Sequence, residues 1–188
     1  MIICTGILLS LNPATAQSAE RPILTRKSTV APLPMPVANN AVASAKVGRR
    51  TYLVSFNGLG QGKTHADTLS STFVYDTRSK QWAIADAVPG DVGRLASAAA
   101  TADGKVYVFG GYTVAEDGSE VSTPWTHAFD PRKREFEQRA PMPVPVDDAV
   151  AVTYLDRYIY LVSGWHDLGN VNLVQRYDTR TDSWAQAT

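Results

Sequence analysis

An all-β chain of three repeated antiparallel units, of the kind that form propeller blades, is predicted by three agreeing spacings. A small-residue run precedes a tyrosine by nine residues at Ala43–Tyr52, Ala98–Tyr107 and Ala151–Tyr160. Aromatic pairs seven apart follow at Tyr75–Trp82, Phe129–Phe136 and Tyr177–Trp184, and the alanine anchors repeat after 55 and then 53 residues. A period of that length, rich in β-branched and aromatic residues, points to blades rather than to helical solenoids.

Each unit reads as four strands in order. The runs beginning at Ala41, Ala96 and Ala149 are small-residue strands suited to the crowded axis where blades converge. Next come Tyr52-Leu53-Val54, Tyr107-Val108-Phe109 and Tyr160-Leu161-Val162, apolar on both faces and so fit to lie between neighbouring blades. The third strands end on Asp76, Asp130 and Asp178, each opening an Asx turn, helped by Pro131 in the second unit. The fourth strands carry Trp82, Phe136 and Trp184, large enough to fill the wider outer space.

The run Val106-Tyr107-Val108-Phe109-Gly110-Gly111, an aromatic-Asp after it and an aromatic seven residues on resemble a kelch repeat. The resemblance implies a kelch-type β-propeller, with blades at 32–86, 87–139 and 140–188. Only the second unit has both glycines. The third reads Ser163-Gly164, and the first Asn57-Gly58 stands two residues further from its tyrosine. Kelch propellers include binding scaffolds and unrelated enzymes, so the fold alone names no function.

Composition excludes little. Net charge is zero with 44 % apolar and 19 % charged residues, which gives no bulk electrostatic pull toward nucleic acid. Segment 1–16 resembles a signal peptide: Ile2 to Leu11 is apolar, too short for a membrane span, and Ala14-Thr15-Ala16 before Gln17 matches a small-x-small cleavage site. That predicts a periplasmic or secreted protein. The single cysteine, Cys4, lies in this segment, which excludes thiol chemistry and the copper-radical oxidase chemistry that the kelch fold hosts elsewhere. Residues 17–31 form a polar lead-in, and Val30–Pro36 resembles Gln138–Pro143, so a closing strand is expected there. Rings close with about four to eight blades, so three imply a partial propeller: a truncated fragment without independent function, or half of a ring completed by a homodimer.

Function in propellers sits at the channel mouth. Counting back from the alanine anchors gives Asn39 and Asn40, Arg94 and Leu95, and Asp147 and Asp148 as candidate ligand-binding positions. Arg94 could bind a carboxylate while an aspartate accepts from hydroxyls, although salt-bridged turn residues explain the same set. The loop after the second strand adds Asn57, Gln61, His65 and Asp67, then Tyr112, then Trp165, His166 and Asp167. Trp165 beside His166 joins a stacking surface to a titratable group. The three histidines fall one per unit without ligand spacing, so no metal and no cofactor is expected.

The residues therefore predict a binding module for a protein or glycan at the channel mouth. Resemblance to exported bacterial kelch proteins that interconvert sialic acid anomers implies an alternative, an N-acetylneuraminate mutarotase or epimerase, for which Arg94, Asp147 and His166 are the catalytic candidates.

Overall fold

The computed structural model describes residues 30–186. The apolar leader and most of the lead-in lie outside the described residues. Three four-stranded antiparallel sheets follow one another along the described chain. The first is β1 (Ala41–Val47), β2 (Arg50–Leu59), β3 (Thr68–Asp76) and β4 (Gln81–Ala85). The second joins β5 (Ala98–Ala102) and β6 (Lys105–Phe109) to β9 (Thr126–Asp130) and β10 (Glu135–Arg139), with a two-stranded hairpin, β7 (Tyr112–Val114) and β8 (Glu120–Ser122), inserted. The third repeats this plan: β11 (Val150–Tyr154), β12 (Tyr158–Val162), β15 (Val174–Asp178) and β16 (Ser183–Gln186), with the hairpin β13 (Trp165–His166) and β14 (Gly169–Asn170). The small-residue strands β1, β5 and β11 are innermost and pack on one another, as their side-chain size predicts.

Pairing register corrects the alignment of the repeats. Ala41 pairs with Phe56, Ala98 with Phe109 and Val150 with Val162, so these positions are equivalent, and Ala43 and Ala151 are not the partners of Ala98. In that register Val54, Tyr107 and Tyr160 match, and Asn57-Gly58 is not displaced. The β1–β2 hairpin extends one pleat further, through Val47 and Arg50.

The register also explains the uneven glycines. Asn57, Gly110 and Ser163 all take left-handed angles, φ 57°, 54° and 60°, which asparagine adopts at small cost. The following position is stricter. A Cβ on Gly111 would lie 2.3 Å from Ser97 Oγ and 2.6 Å from the Leu95 carbonyl. Only the second glycine of the pair is kept in all three units, at Gly58, Gly111 and Gly164.

Blades join by one repeated aromatic device. Phe56 on β2 packs edge-on to Phe129, 5.5 Å between centroids, and against Phe136 at 5.9 Å. One blade later Phe109 meets Tyr177 at 5.9 Å and Trp184 at 5.7 Å. Such pairs add roughly 0.5–1.5 kcal/mol beyond their buried area. Hydroxyls stitch the inner strands in the same rhythm. Thr101 donates to the Ser44 carbonyl and Thr153 to that of Thr101, both at 2.8 Å. The outer tryptophans also act as latches: Trp82 Nε1 donates to Ala31 O and Trp184 Nε1 to Ala140 O, each at 2.8 Å. Ala31 therefore matches the linker residue Ala140 and carries no strand assignment; the rest of the expected closing strand lies outside the described residues.

The aspartate turns form as expected. Asp76, Asp130 and Asp178 each accept a backbone N–H two residues on, at 2.8, 2.8 and 3.0 Å.

Replacing Trp184 by Phe keeps the ring packing and removes the donor to Ala140. Stability should fall by about 1 kcal/mol, read as a lower urea midpoint at unchanged m-value.

Candidate functional site at the mouth

Antiparallel pairing puts the β2–β3, β6–β9 and β12–β15 loops at one end of the sheets, together with the linkers that enter each inner strand. Backbone bridges pin loop to linker in every blade: Ala38 to Leu59, Leu95 to Tyr112 and Asp147 to Trp165. Each pair is closed by two hydrogen bonds; Trp165 N donates to Asp147 O at 2.8 Å and Asp147 N to Trp165 O at 3.0 Å.

These bridges decide where the sequence candidates go. Asn39, Ala96 and Asp148 are equivalent, with φ of 52°, 53° and 51°. Ala96 N donates to Asn39 O at 3.1 Å and Asp148 N to Ala96 O at 3.0 Å, a backbone stitch around the mouth that leaves the Asn39 and Asp148 side chains exposed. Asn40 donates to Ser55 Oγ at 2.8 Å. Arg94 is equivalent to Val37 and Val146 and does not join the ring. It is 1 % exposed, buried between the first two blades.

Asp147, Asp148, Tyr112, Trp165 and His166 do come together, over the second and third blades. Asp147 is 3 % exposed and its Oδ2 accepts from Ser122 on β8 at 2.6 Å. Burial raises its pKa above the usual carboxylate range, and Asp148, Glu120 and Asp167 raise it further against the Ser122 bond. Burial likewise raises Tyr112, with Glu120, Asp148 and Asp147 adding to it. His166 Nε2 stands 3.7 Å from Asp167 Oδ2, and Trp165 Nε1 donates to Asp167 O at 3.2 Å.

On the first blade Asp67 is used internally. Its Oδ2 accepts from the Thr64 N–H at 3.0 Å and hydroxyl at 2.6 Å, which lowers its pKa and closes the loop around His65–Asp67. Asn57 donates to Ser97 Oγ at 3.0 Å, so it is an inter-blade tie. Gln61 and His65 are exposed.

Sequence reasoning missed the apolar tips. Leu168, at the β13–β14 turn, is 96 % exposed, beside Trp165 at 40 %, and Val121 on β8 is 57 % exposed. It also missed a polarity that zero net charge conceals. Glu116, Asp117, Glu120, Asp147, Asp148 and Asp167 all lie at the mouth end, while Lys46, Arg49, Arg50, Arg132, Lys133 and Arg134 lie at the opposite turns. Among the described residues no group of three or more His, Cys, Asp or Glu side chains could hold a metal ion, and no helix is long and apolar enough to cross a membrane.

Small-residue inner strands, sandwiched second strands and a loop-built mouth define three blades of a β-propeller. The kelch motif model matches residues 93–143 and 149–188, the second and third blades. The chain is 26 % identical over 164 residues to beta-scruin of Limulus polyphemus, covering 86 % of this chain and 17 % of that protein. It is 25 % identical over 155 residues to Kelch-like protein 40 of Xenopus tropicalis, covering 82 % and 24 %. An F-box/kelch-repeat protein of Arabidopsis thaliana is 30 % identical over 137 residues, 69 % of this chain and 30 % of that one. The chain thus spans less than a third of the length of these relatives. The solved structure of YjhT superposes with a TM-score of 0.65 at 18 % identity, over 85 % of this chain and 54 % of that one, a likeness of fold. The chain thus carries kelch motifs over its second and third blades.

Because Asp147 holds its proton to higher pH folded than unfolded, the folded state loses stability as pH rises through that interval and does not regain it above. Asp147→Asn keeps an acceptor for Ser122 without the charge. Its thermal stability should exceed the parent's at pH 8, and the gap should close as pH falls toward 4, followed by melting curves across that range.

Proposed function

We propose that the chain is a binding module whose mouth, over the second and third blades, takes a protein segment carrying both basic and apolar side chains. The observation that carries this reading is Leu168, 96 % exposed beside the half-exposed Trp165. Large apolar groups at a hairpin tip cost solubility unless a partner covers them. The carboxylates around them favour a cationic partner and speed its encounter. A glycan stacking on Trp165 would use the same platform.

The same field opposes an anionic sugar. Arg94, the guanidinium that a sialic acid carboxylate would need, is buried away from the mouth, so the features of this site support binding over mutarotation. Export to the periplasm or outside is part of the proposal, supported by the apolar leader and its Ala14-Thr15-Ala16 site.

The edge of the third blade bears on assembly. Val162 occupies the position of Phe56 and Phe109 but is 40 % exposed, with Val150 at 67 % and Val152 at 52 % around it. On the first blade Phe73 and Tyr75 are already buried, at 3 % and 1 %. A homodimer that completes a ring would set the third-blade face of each copy against the first-blade face of the other.

Fluorescence anisotropy with labelled Lys/Leu and Glu/Leu peptides of equal length tests the reading. The cationic set should bind, weaken as salt rises, and lose at least about tenfold on Trp165→Ala or Leu168→Asp, the size of one interface anchor. Equal affinity for both sets, or indifference to both substitutions, would refute it. N-acetylneuraminate should mutarotate at the buffer rate by NMR.

A further inference from the structure

The end of the molecule opposite the mouth holds a cleft between the first two blades. It encloses about 170 Å³, less than the roughly 300–1,000 Å³ of drug-sized ligand sites, so it suits a small group rather than a peptide. Buried Tyr52, Val74 and Pro131 line its floor, while exposed Arg50 at the start of β2 and Arg132 and Arg134 in the β9–β10 turn line its rim.

Three guanidiniums there meet one carboxylate. Arg50 Nη1 stands 3.5 Å from Asp76 Oδ2, a loose pair, and Asp76 Oδ1 already accepts the Arg78 N–H at 2.8 Å. Among the described residues neither Arg132 nor Arg134 has an ion-pair partner. The acids of their own blade are spent or turned away. Asp130 accepts the Arg132 and Lys133 N–H groups at 2.8 and 3.1 Å. Glu135 and Glu137 lie with Ala128 on the opposite face, where Glu137 takes Lys105 and Arg139.

The next junction is the control. In the pairing register its equivalent positions carry five carboxylates, Asp103, Asp130, Glu135, Glu137 and Asp182, against Lys105, Lys133 and Arg180. Asp182, the equivalent of Arg134, is used inside the fold, accepting the Ala140 N–H at 2.8 Å and the Tyr177 hydroxyl. Both residues take left-handed angles, φ 66° and 49°, so the turn itself does not call for arginine. One blade plan thus gives a positive cleft at the first junction and a negative one at the second.

We infer that the cleft between the first and second blades binds the phosphate of a small phosphomonoester, with Arg132 and Arg134 closing on its oxygens from one side and Arg50 from the other. The carbon body of the ester would rest on Tyr52, Val74 and Pro131. Guanidinium forks match phosphate oxygens in pairs. A lining two charges positive matches a dianion, and a phosphomonoester carries about −1.5 to −2 near pH 7, with its second pKa at about 6. A sulfate ester or a carboxylate carries a single charge. The same phosphate occurs on lipid headgroups, but the small enclosed cleft commits the site to the soluble ester.

The test is calorimetric titration of the whole chain with phenyl phosphate and phenyl sulfate at low salt, with phosphatidylcholine vesicles with and without phosphatidic acid as a second arm. Phenyl phosphate should bind at least about tenfold more tightly than the sulfate, the effect of one charge-assisted hydrogen bond. Its affinity should fall as pH drops through about 6, where the phosphate gains its second proton. Arg134→Asp, which copies the third blade, should lose at least about tenfold at unchanged Tm, and phosphatidic acid should not draw the chain to vesicles. No binding of phenyl phosphate at millimolar concentration, equal affinity for the sulfate, full binding by Arg134→Asp, or capture by phosphatidic acid vesicles alone would overturn the proposal.

Discussion

One backbone hydrogen bond per blade junction governs the rest of the molecule. Gly58 N donates to Arg94 O at 3.0 Å and Gly111 N to Val146 O at 3.2 Å, so the loop leaving each second strand is tied to the linker entering the next blade. The bond requires φ of +112° and +84° and a backbone approach that no Cβ permits. From this tie follow the bridges that seat Tyr112 and Trp165, the stitch through Asn39, Ala96 and Asp148, and the placement of Phe56 and Phe109 against the next blade. The mouth is therefore a by-product of blade registration, with its side chains free to vary.

The parts of this arrangement set by local chemistry were legible in the sequence. Alternating and doubly apolar runs gave the strands, Asp76, Asp130 and Asp178 gave the turns, and the aromatic pairs gave the outer strands, because each depends on neighbours within a few residues. Register across the first hairpin was not legible, since one added pleat at Val47 and Arg50 leaves a nine-residue spacing intact while moving every equivalence by two. Arg94 was misplaced by that slip in the first unit and, in the third, by a β11–β12 turn one residue longer than the β5–β6 turn. Counted from alanines it falls beside Asn39 and Asp147, whereas the hydrogen bonds put it beside Val37 and Val146.

Charge polarity was illegible for a different reason. The acidic stretches at 116–120, 147–148 and 167 are separated along the chain by basic turns, and only the up-and-down path of the strands sorts them onto opposite ends. A zero total is then compatible with a strongly negative mouth, and steering by such a face depends on local rather than net charge.

Repeats supply their own controls, and the differences between blades locate function better than any single residue. Where three units agree, as at Gly58, Gly111 and Gly164, the position serves the fold. Where they diverge, as with Val37, Arg94 and Val146, the one buried charge is met by groups of its own blade, the Gly110 carbonyl and the Trp125 ring. Val162 makes the converse case. It holds the place of two buried phenylalanines but is 40 % exposed, on a face that no further blade of the described residues covers.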